Sequence, residues 1–296
     1  MKLLENIKFT DKKTVEIKPF YCLKTMMESN RYNYVSDFTN ELRAKGRYAF
    51  TLPELESRFN VSNNALSKAL QRAKQKKEIA IVRKEFYIIV TPEYRSRGIL
   101  PPVLFIADLM RFLNRNYYTG LLNAAVFYGA AHQQPQEFFV ITTKPVLLPI
   151  KNNKLKINFC YKKSWAEEDI IERKTDTGYL KISSAELTAL DLVYYHDRIG
   201  GINRVATILE ELSESMEPEK LAATAKRYGQ IATVQRLGFL LDNVLDKKAH
   251  TLPLQDYLKT VKHYPVLLRP QKEKPQRMVT GNNWKVVPNI EIETDL

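Results

Sequence analysis

The side chains with the clearest chemical potential lie between residues 47 and 84 of the 296-residue chain. Asn63, Asn64, Ser67, Lys68, Gln71, Arg72 and Lys74 recur on one side of a segment whose other side, Ala65, Leu66, Ala69, Leu70 and Ala73, is an apolar stripe at helical spacing. Amides and cations on such an outer face match the donors, acceptors and phosphates met in a DNA major groove. The reading assigns Asn63, Asn64, Ser67, Lys68 and Gln71 to base edges, and Arg72, Lys74 and Lys76 to phosphates. Ser62 or Asn63 caps the helix. Arg83 and Lys84 fall at the tip of an expected hairpin, as a wing, and Arg47 completes the DNA-binding set. Other chemistry has less support. Glu137, Asp169 and Glu172, with Lys174 beside them, could form a divalent-ion nuclease site only if the fold gathered them. There is no Gly-rich phosphate loop, no nucleophile elbow and no recognisable Cys–His pairing. Cys22 and Cys160 are far apart, and His132, His196, His250 and His263 are scattered, so neither a disulfide framework nor a zinc site is suggested. The expectation is a non-enzyme with no cofactor and no metal.

The elements that must position the reading residues follow from local signals. Residues 36–45 form a helix burying Phe38 and Leu42. Thr51-Leu52-Pro53-Glu54 is a capping box with Pro in the first turn, and it opens a short helix burying Leu55 and Phe59. Residues 60–62 turn, with Val61 plugging the angle. After the reading helix, 79–82 and 86–90 alternate as a hairpin. Helix, tight turn, helix, hairpin is a winged helix-turn-helix, with a core of Phe38, Leu42, Leu55, Phe59, Leu66, Leu70 and Ile81 expected to fold alone. Residues 41–97 hold 13 Lys or Arg against 6 Asp or Glu, so about half of the net charge of +13 falls there. Cations clustered on one domain release counterions from nucleic acid. Two copies presenting such helices about 34 Å apart suit an inverted-repeat operator. The competing reading is that polar helix faces are ordinary and that winged helices also serve as protein–protein modules.

Beyond this unit the chain divides by punctuation and charge. The expected divisions are an N-terminal extension at 1–34, a winged helix-turn-helix at 35–97, an α/β domain at 98–262 and a Pro-rich basic tail at 263–296. Residues 95–102, with paired prolines, read as a linker at which the two halves should separate. Helices are expected at 104–113, 118–131, 184–196, 202–213, 218–228 and 231–245, and strands at 14–17, 138–142 and 155–161. The last residues, 284–296, alternate enough for an edge strand. Strands interleaved with helices make the fold class α+β or α/β, the second domain rich in helices. Gly120 and Gly129 are expected to allow close packing. Ser184 should cap its helix, with Glu186 and Asp191 favoured by the helix dipole. Residues 164–217 hold 5 basic against 12 acidic residues, which excludes them as a phosphate-tracking surface. A hydrophobic fraction of 44% with no run long enough to span a bilayer, and no signal peptide, points to a cytoplasmic protein away from membranes.

Four blocks carry a resemblance. They are Tyr117-Tyr118-Thr119-Gly120-Leu121-Leu122-Asn123-Ala124-Ala125 with His132-Gln133-Gln134-Pro135-Gln136-Glu137-Phe138, then Ile182-Ser183-Ser184-Ala185-Glu186-Leu187-Thr188-Ala189-Leu190-Asp191-Leu192, then Gly200-Gly201-Ile202-Asn203-Arg204-Val205-Ala206, and Arg236-Leu237-Gly238-Phe239-Leu240-Leu241. In this order they resemble the AbiEi family, antitoxins of type IV toxin–antitoxin systems. The resemblance implies a winged helix that represses its own operon and a C-terminal domain that counters a nucleotidyltransferase-like toxin, without a stable complex between the two proteins. The alternative is a winged-helix regulator with no toxin partner, its C-terminal domain sensing a ligand or oligomerising.

Overall fold

The computed structural model describes residues 34–131, 135–270 and 280–293. The strand expected at 14–17, Cys22 and His132 lie outside them. The first unit runs α1 (Tyr34–Ala44), β1 (Ala49–Thr51), α2 (Leu52–Arg58), α3 (Asn63–Gln75), β2 (Ile79–Arg83) and β3 (Phe86–Ile89). Its strands form an antiparallel sheet in the order β1-β3-β2. The capping box forms as expected. Thr51 Oγ1 accepts from the Glu54 amide at 3.3 Å, and Glu54 Oε2 accepts from the Thr51 amide at 2.8 Å. Ser62 Oγ accepts from the Ala65 amide at 3.3 Å and starts α3.

Three expectations in this unit are corrected. Val61 is 39% exposed and does not plug the turn. The corner is filled by the Phe59 ring, whose centroid lies 5.2 Å from Tyr34 and 6.1 Å from Phe38. Ala65 is exposed at the end of its stripe, its carbonyl accepting from the Tyr34 hydroxyl at 3.1 Å. Ile81 is also 39% exposed, and Ile79 and Ile89 supply the strand side of the core. A register shift between Ile81 and Arg83 breaks the simple alternation from which Ile81 was expected inside.

The second unit is built on a six-stranded mixed sheet ordered β6-β7-β5-β4-β9-β8. Its strands are β4 (Tyr117–Thr119), β5 (Phe138–Thr142), β6 (Ile150–Asn152), β7 (Leu155–Tyr161), β8 (Ile170–Thr175) and β9 (Gly178–Ser183). The expected helix at 118–131 is instead the buried strand β4, Gly120 and the six-residue α5 (Leu121–Val126). Tyr117-Tyr118-Thr119 pairs with β5 on one side and β9 on the other, so its aromatic and β-branched residues are apolar on both faces and imitate a buried helix. A Cβ on Gly120 would meet Ile141 Cγ1 at 2.9 Å, so close packing holds there. Gly129 has nothing within 4 Å and serves its φ of +75°. The β8–β9 hairpin was not expected, because its outer positions are Glu172, Lys174 and Lys181 rather than an apolar period.

Strand alternation divides the core in two. Tyr118, Phe139, Ile141 and Cys160 point into a layer of helices: α5, α6 (Ala185–Tyr194), α7 (Ile202–Leu212), α8 (Pro218–Tyr228), α9 (Ile231–Phe239) and α10 (Leu252–Lys259). Phe138, Val140, Ile157, Phe159 and Ile182 point the other way, onto α4 (Ile106–Phe112) and the back of the first unit's sheet, where Ala49, Val82, Phe86 and Ile88 lie. The segment read as a linker joins this packing, since Ile99 and Leu100 are 8 and 1% exposed. A continuous apolar core therefore crosses the expected division.

The tail differs as well. β10 (Val266–Leu267) pairs in parallel with β11 (Val286–Val287), as a small ribbon rather than an edge of the main sheet. Trp284 is wholly buried, and its Nε1 donates to Asp242 Oδ2 at 2.9 Å. Gly238 makes the notch for the indole: a Cβ there would lie 2.0 Å from Trp284 Cζ3. The compact body thus continues into the segment read as a tail from residue 263.

Candidate nucleic-acid interface

Leu66, Ala69, Leu70 and Ala73 anchor α3 in the core, and this orientation exposes Asn63, Asn64, Ser67, Lys68, Gln71, Arg72, Lys74 and, at the C-cap, Lys76. Ser62 is exposed at the N-cap. At about 100° per residue, Asn63, Ser67, Gln71 and Lys74 share one sector and Asn64, Lys68 and Arg72 the next. The first sector faces a cleft of about 460 Å³ that is closed by Leu52 and Glu56 of α2 and by Ile81 and Tyr87 of the β2–β3 hairpin. A second cleft, of about 470 Å³, lies at the other end of α3. Lys74 and Lys77 line it with Asn152, Asn153 and Lys154 from the β6–β7 hairpin of the large sheet.

The outlying members of the expected set stand differently. The turn of the β2–β3 hairpin is Lys84-Glu85, with Glu85 at φ +65° and its carbonyl accepting from the Leu52 amide at 2.9 Å. The tip is thereby fastened to the start of α2. Lys84 projects with its side chain 91% exposed, whereas Arg83 closes β2 and is half-buried. Arg47 donates to Glu54 Oε1 at 2.7 Å. Burial pushes the Glu54 carboxyl up, but the Arg47 and Thr51 hydrogen bonds outweigh it and hold the group below the usual carboxylate range. The Arg47 charge is thus committed to the capping box.

The carboxylates weighed for metal chemistry are not assembled. Glu137 pairs with Lys156 and Asn158. Asp169 is buried, accepting from Thr224 Oγ1 at 2.8 Å and from Arg227 at 2.5 and 3.1 Å. Glu172 and Lys174 lie on β8, opposite Lys181 and Tyr179. Burial pushes the Cys160 thiol up to about 11.

Sequence reasoning missed the polar centre of the helical layer. Asp191 was expected to sit favourably in the dipole near its helix start. It stands instead deep in α6, wholly buried, accepting from the Tyr118 hydroxyl at 2.6 Å, the Tyr228 hydroxyl at 2.9 Å and Lys162 Nζ at 3.0 Å. Lys162 also lies 3.9 Å from the centroid of the Tyr228 ring. Burial, then the Asp191 charge, raises the Tyr118 and Tyr228 hydroxyls well above their ordinary value, so both stay protonated donors. The available signal was an acid inside the run Ala189-Leu190-Asp191-Leu192-Val193, where a solvated face would not place one. Ser184 does cap α6, accepting from the Leu187 amide at 3.1 Å.

Residues 118–243 match the family described as the AbiEi antitoxin C-terminal domain. The chain carries an AbiEi antitoxin domain. That domain begins at the central strand β4 and contains the whole Asp191 network and the Asp169–Arg227 pair. Trp284 lies outside the matched segment yet fills the notch at Gly238 within it, so the AbiEi domain of this chain is packed to completion by its tail. No curated protein matches the chain. The crystal structure of the RV2827C protein from Mycobacterium tuberculosis is similar at a TM-score of 0.60 and 15% identity, over 86% of this chain and 90% of that one. At that identity the likeness shows a common fold. Among the described residues no helix is long and apolar enough to cross a membrane.

Proposed function

We propose that this chain is a DNA-binding autorepressor and the antitoxin of a type IV toxin–antitoxin system, acting in the cytoplasm against a nucleotidyltransferase-like toxin. The antitoxin half of the reading rests on the AbiEi domain at 118–243. The DNA half rests on one observation: the solvent side of α3 carries amides, a hydroxyl and cations, while its apolar residues other than Ala65 face the core. Read with α1, α2 and the β2–β3 hairpin, α3 is the recognition helix of a winged helix-turn-helix, and it enters the major groove. Lys84 and the cations at the C-terminal end of α3 meet phosphates. The partners are the duplex of its own promoter, as an inverted repeat, and the toxin as a functional opponent. The chain acts without catalysis or a cofactor, a reading that fits the raised Cys160 thiol and the separately paired Glu137 and Asp169.

The test is a competition band shift with the DNA upstream of its own gene against random duplex. Asn64→Ala and Gln71→Ala each remove one bidentate amide–base pair. Each should lower the preference for the promoter DNA by about 1–3 kcal/mol and leave random DNA almost unchanged. Unaltered preference in both variants would remove α3 as the reader. Metal-dependent cleavage of either duplex in the same reactions would overturn the non-enzymatic reading.

A further inference from the structure

Glu56 stands apart on the reading surface. It is exposed on α2, facing the cleft between α3 and the hairpin, where Asn63, Ser67, Gln71 and Lys74 line one wall and Ile81 another. Neighbouring carboxylates are engaged: Glu41 with Lys45 and Arg58, Glu54 with Arg47, Glu85 with Lys84. Among the described residues, no hydrogen bond or ion pair engages Glu56. A carboxylate held in no ion pair is repelled by a phosphate track, so it does not serve the affinity that backbone contacts supply. Its chemistry fits a base edge. An ionised carboxylate only accepts, and the amino donors of the major groove are cytosine N4 and adenine N6. Adenine sets its N7 acceptor next to that amino group, which favours an amide and repels a carboxylate. Cytosine sets its apolar C5 edge there, and the exposed Ile81 in the same cleft suits it.

We propose that Glu56 is a base-reading residue that accepts a hydrogen bond from a cytosine N4 amino group and thereby fixes one position of the operator. This rests on the reading of α3 as a recognition helix, and it adds a second reading element from α2. Glu56 lowers affinity for DNA in general and raises it for the sequence that offers the amino group, so it works as a specificity device.

The experiment is selection from a randomised duplex library by the full-length protein, by Glu56→Gln, by Glu56→Ala and by the double variant Asn64→Ala/Gln71→Ala, with far-UV circular dichroism to check each fold. The wild-type motif should contain a cytosine that both Glu56 variants relax. Their affinity for the selected duplex should fall about tenfold. Their affinity for random duplex should rise, since a negative charge has been removed. If both Glu56 variants select the same motif with the same stringency while the α3 double variant loses it, the Glu56 assignment is overturned and the α3 reading survives. Absence of any motif with the wild-type protein overturns both.

Discussion

The back of the three-stranded sheet is where a cut at residue 97 would be felt. Val82, Phe86 and Ile88 are 8, 1 and 0% exposed, covered by α4 and by the large sheet. The Phe86 ring lies 5.5 Å from that of Phe112, beyond the cut. Complete burial of a Val, Ile or Phe side chain contributes about 1.5–3 kcal/mol, so uncovering three of them removes roughly 5–9 kcal/mol. A fragment spanning 34–97 would hold about 3–10 kcal/mol in all, at roughly 0.05–0.15 kcal/mol per residue. The loss is as large as the whole. The sequence suggested otherwise, because Phe38, Leu42, Leu55, Leu66 and Leu70 do form a core between the helices and the sheet. That core is one side of the unit only. Urea unfolding followed by far-UV circular dichroism should give no cooperative transition for residues 34–97. The fragment 34–113, which regains α4, should recover part of one. In the full-length chain, Phe86→Ala should cost about 3–5 kcal/mol. A cooperative transition for 34–97 with a midpoint near that of the full chain would refute the shared-core argument.

Two further outcomes follow from single side chains. Lys84→Ala should weaken promoter and random DNA alike and reduce the salt slope by about one, whereas the half-buried Arg83 should contribute less to that slope; a loss confined to promoter DNA would make Lys84 a base reader instead. Gly238→Ala drives a methyl into the Trp284 ring, and the overpacking should cost about 1–3 kcal/mol in urea unfolding, with the change in Trp284 emission read in a Trp165→Phe background; unchanged stability and emission would mean that the notch is not tight.

What the sequence made legible was what a local pattern controls. The Thr51–Glu54 capping box, the Ser62 cap and, apart from Ala65, the stripe of α3 are set within a few residues, and each formed. The regular strands β5 and β7 and the helix α8 were equally plain. What failed depends on partners distant in sequence. β4 is a strand only because β5 and β9 flank it, and Tyr117-Tyr118-Thr119 carries no period to say so. Ile81 turns outward through a shift in pairing, and Val61 is displaced from the corner by Phe59. Asp191 finds Lys162, Tyr118 and Tyr228 from three other elements, and Trp284 finds Gly238 across 46 positions of chain. In the interface, α3 was legible as a face, but Arg47 gave no hint that it would be committed to Glu54.

The shared core also decides how the two proposed activities can be told apart. The large sheet lies between them, with the first unit and α4 on one face and the helical layer of the AbiEi domain on the other. Severing the chain at 97 uncovers apolar surface on both pieces: Phe86 and Ile88 on one, Leu109 and Met110 on the other. Loss of either activity in a fragment would therefore report unfolding as readily as function. The outer side chains of α3 are exposed and are not among the buried residues of either core. Removing Asn64, Lys68 and Arg72 together in the full-length chain should abolish promoter binding and leave the unfolding free energy within about 1.5 kcal/mol, at about 0.5 kcal/mol for each of three surface substitutions. That variant should still relieve growth arrest by the proposed cognate toxin. Relief that disappears with the DNA binding, in a protein whose stability is unchanged, would tie the antitoxin effect to repression and leave the AbiEi layer without an action of its own.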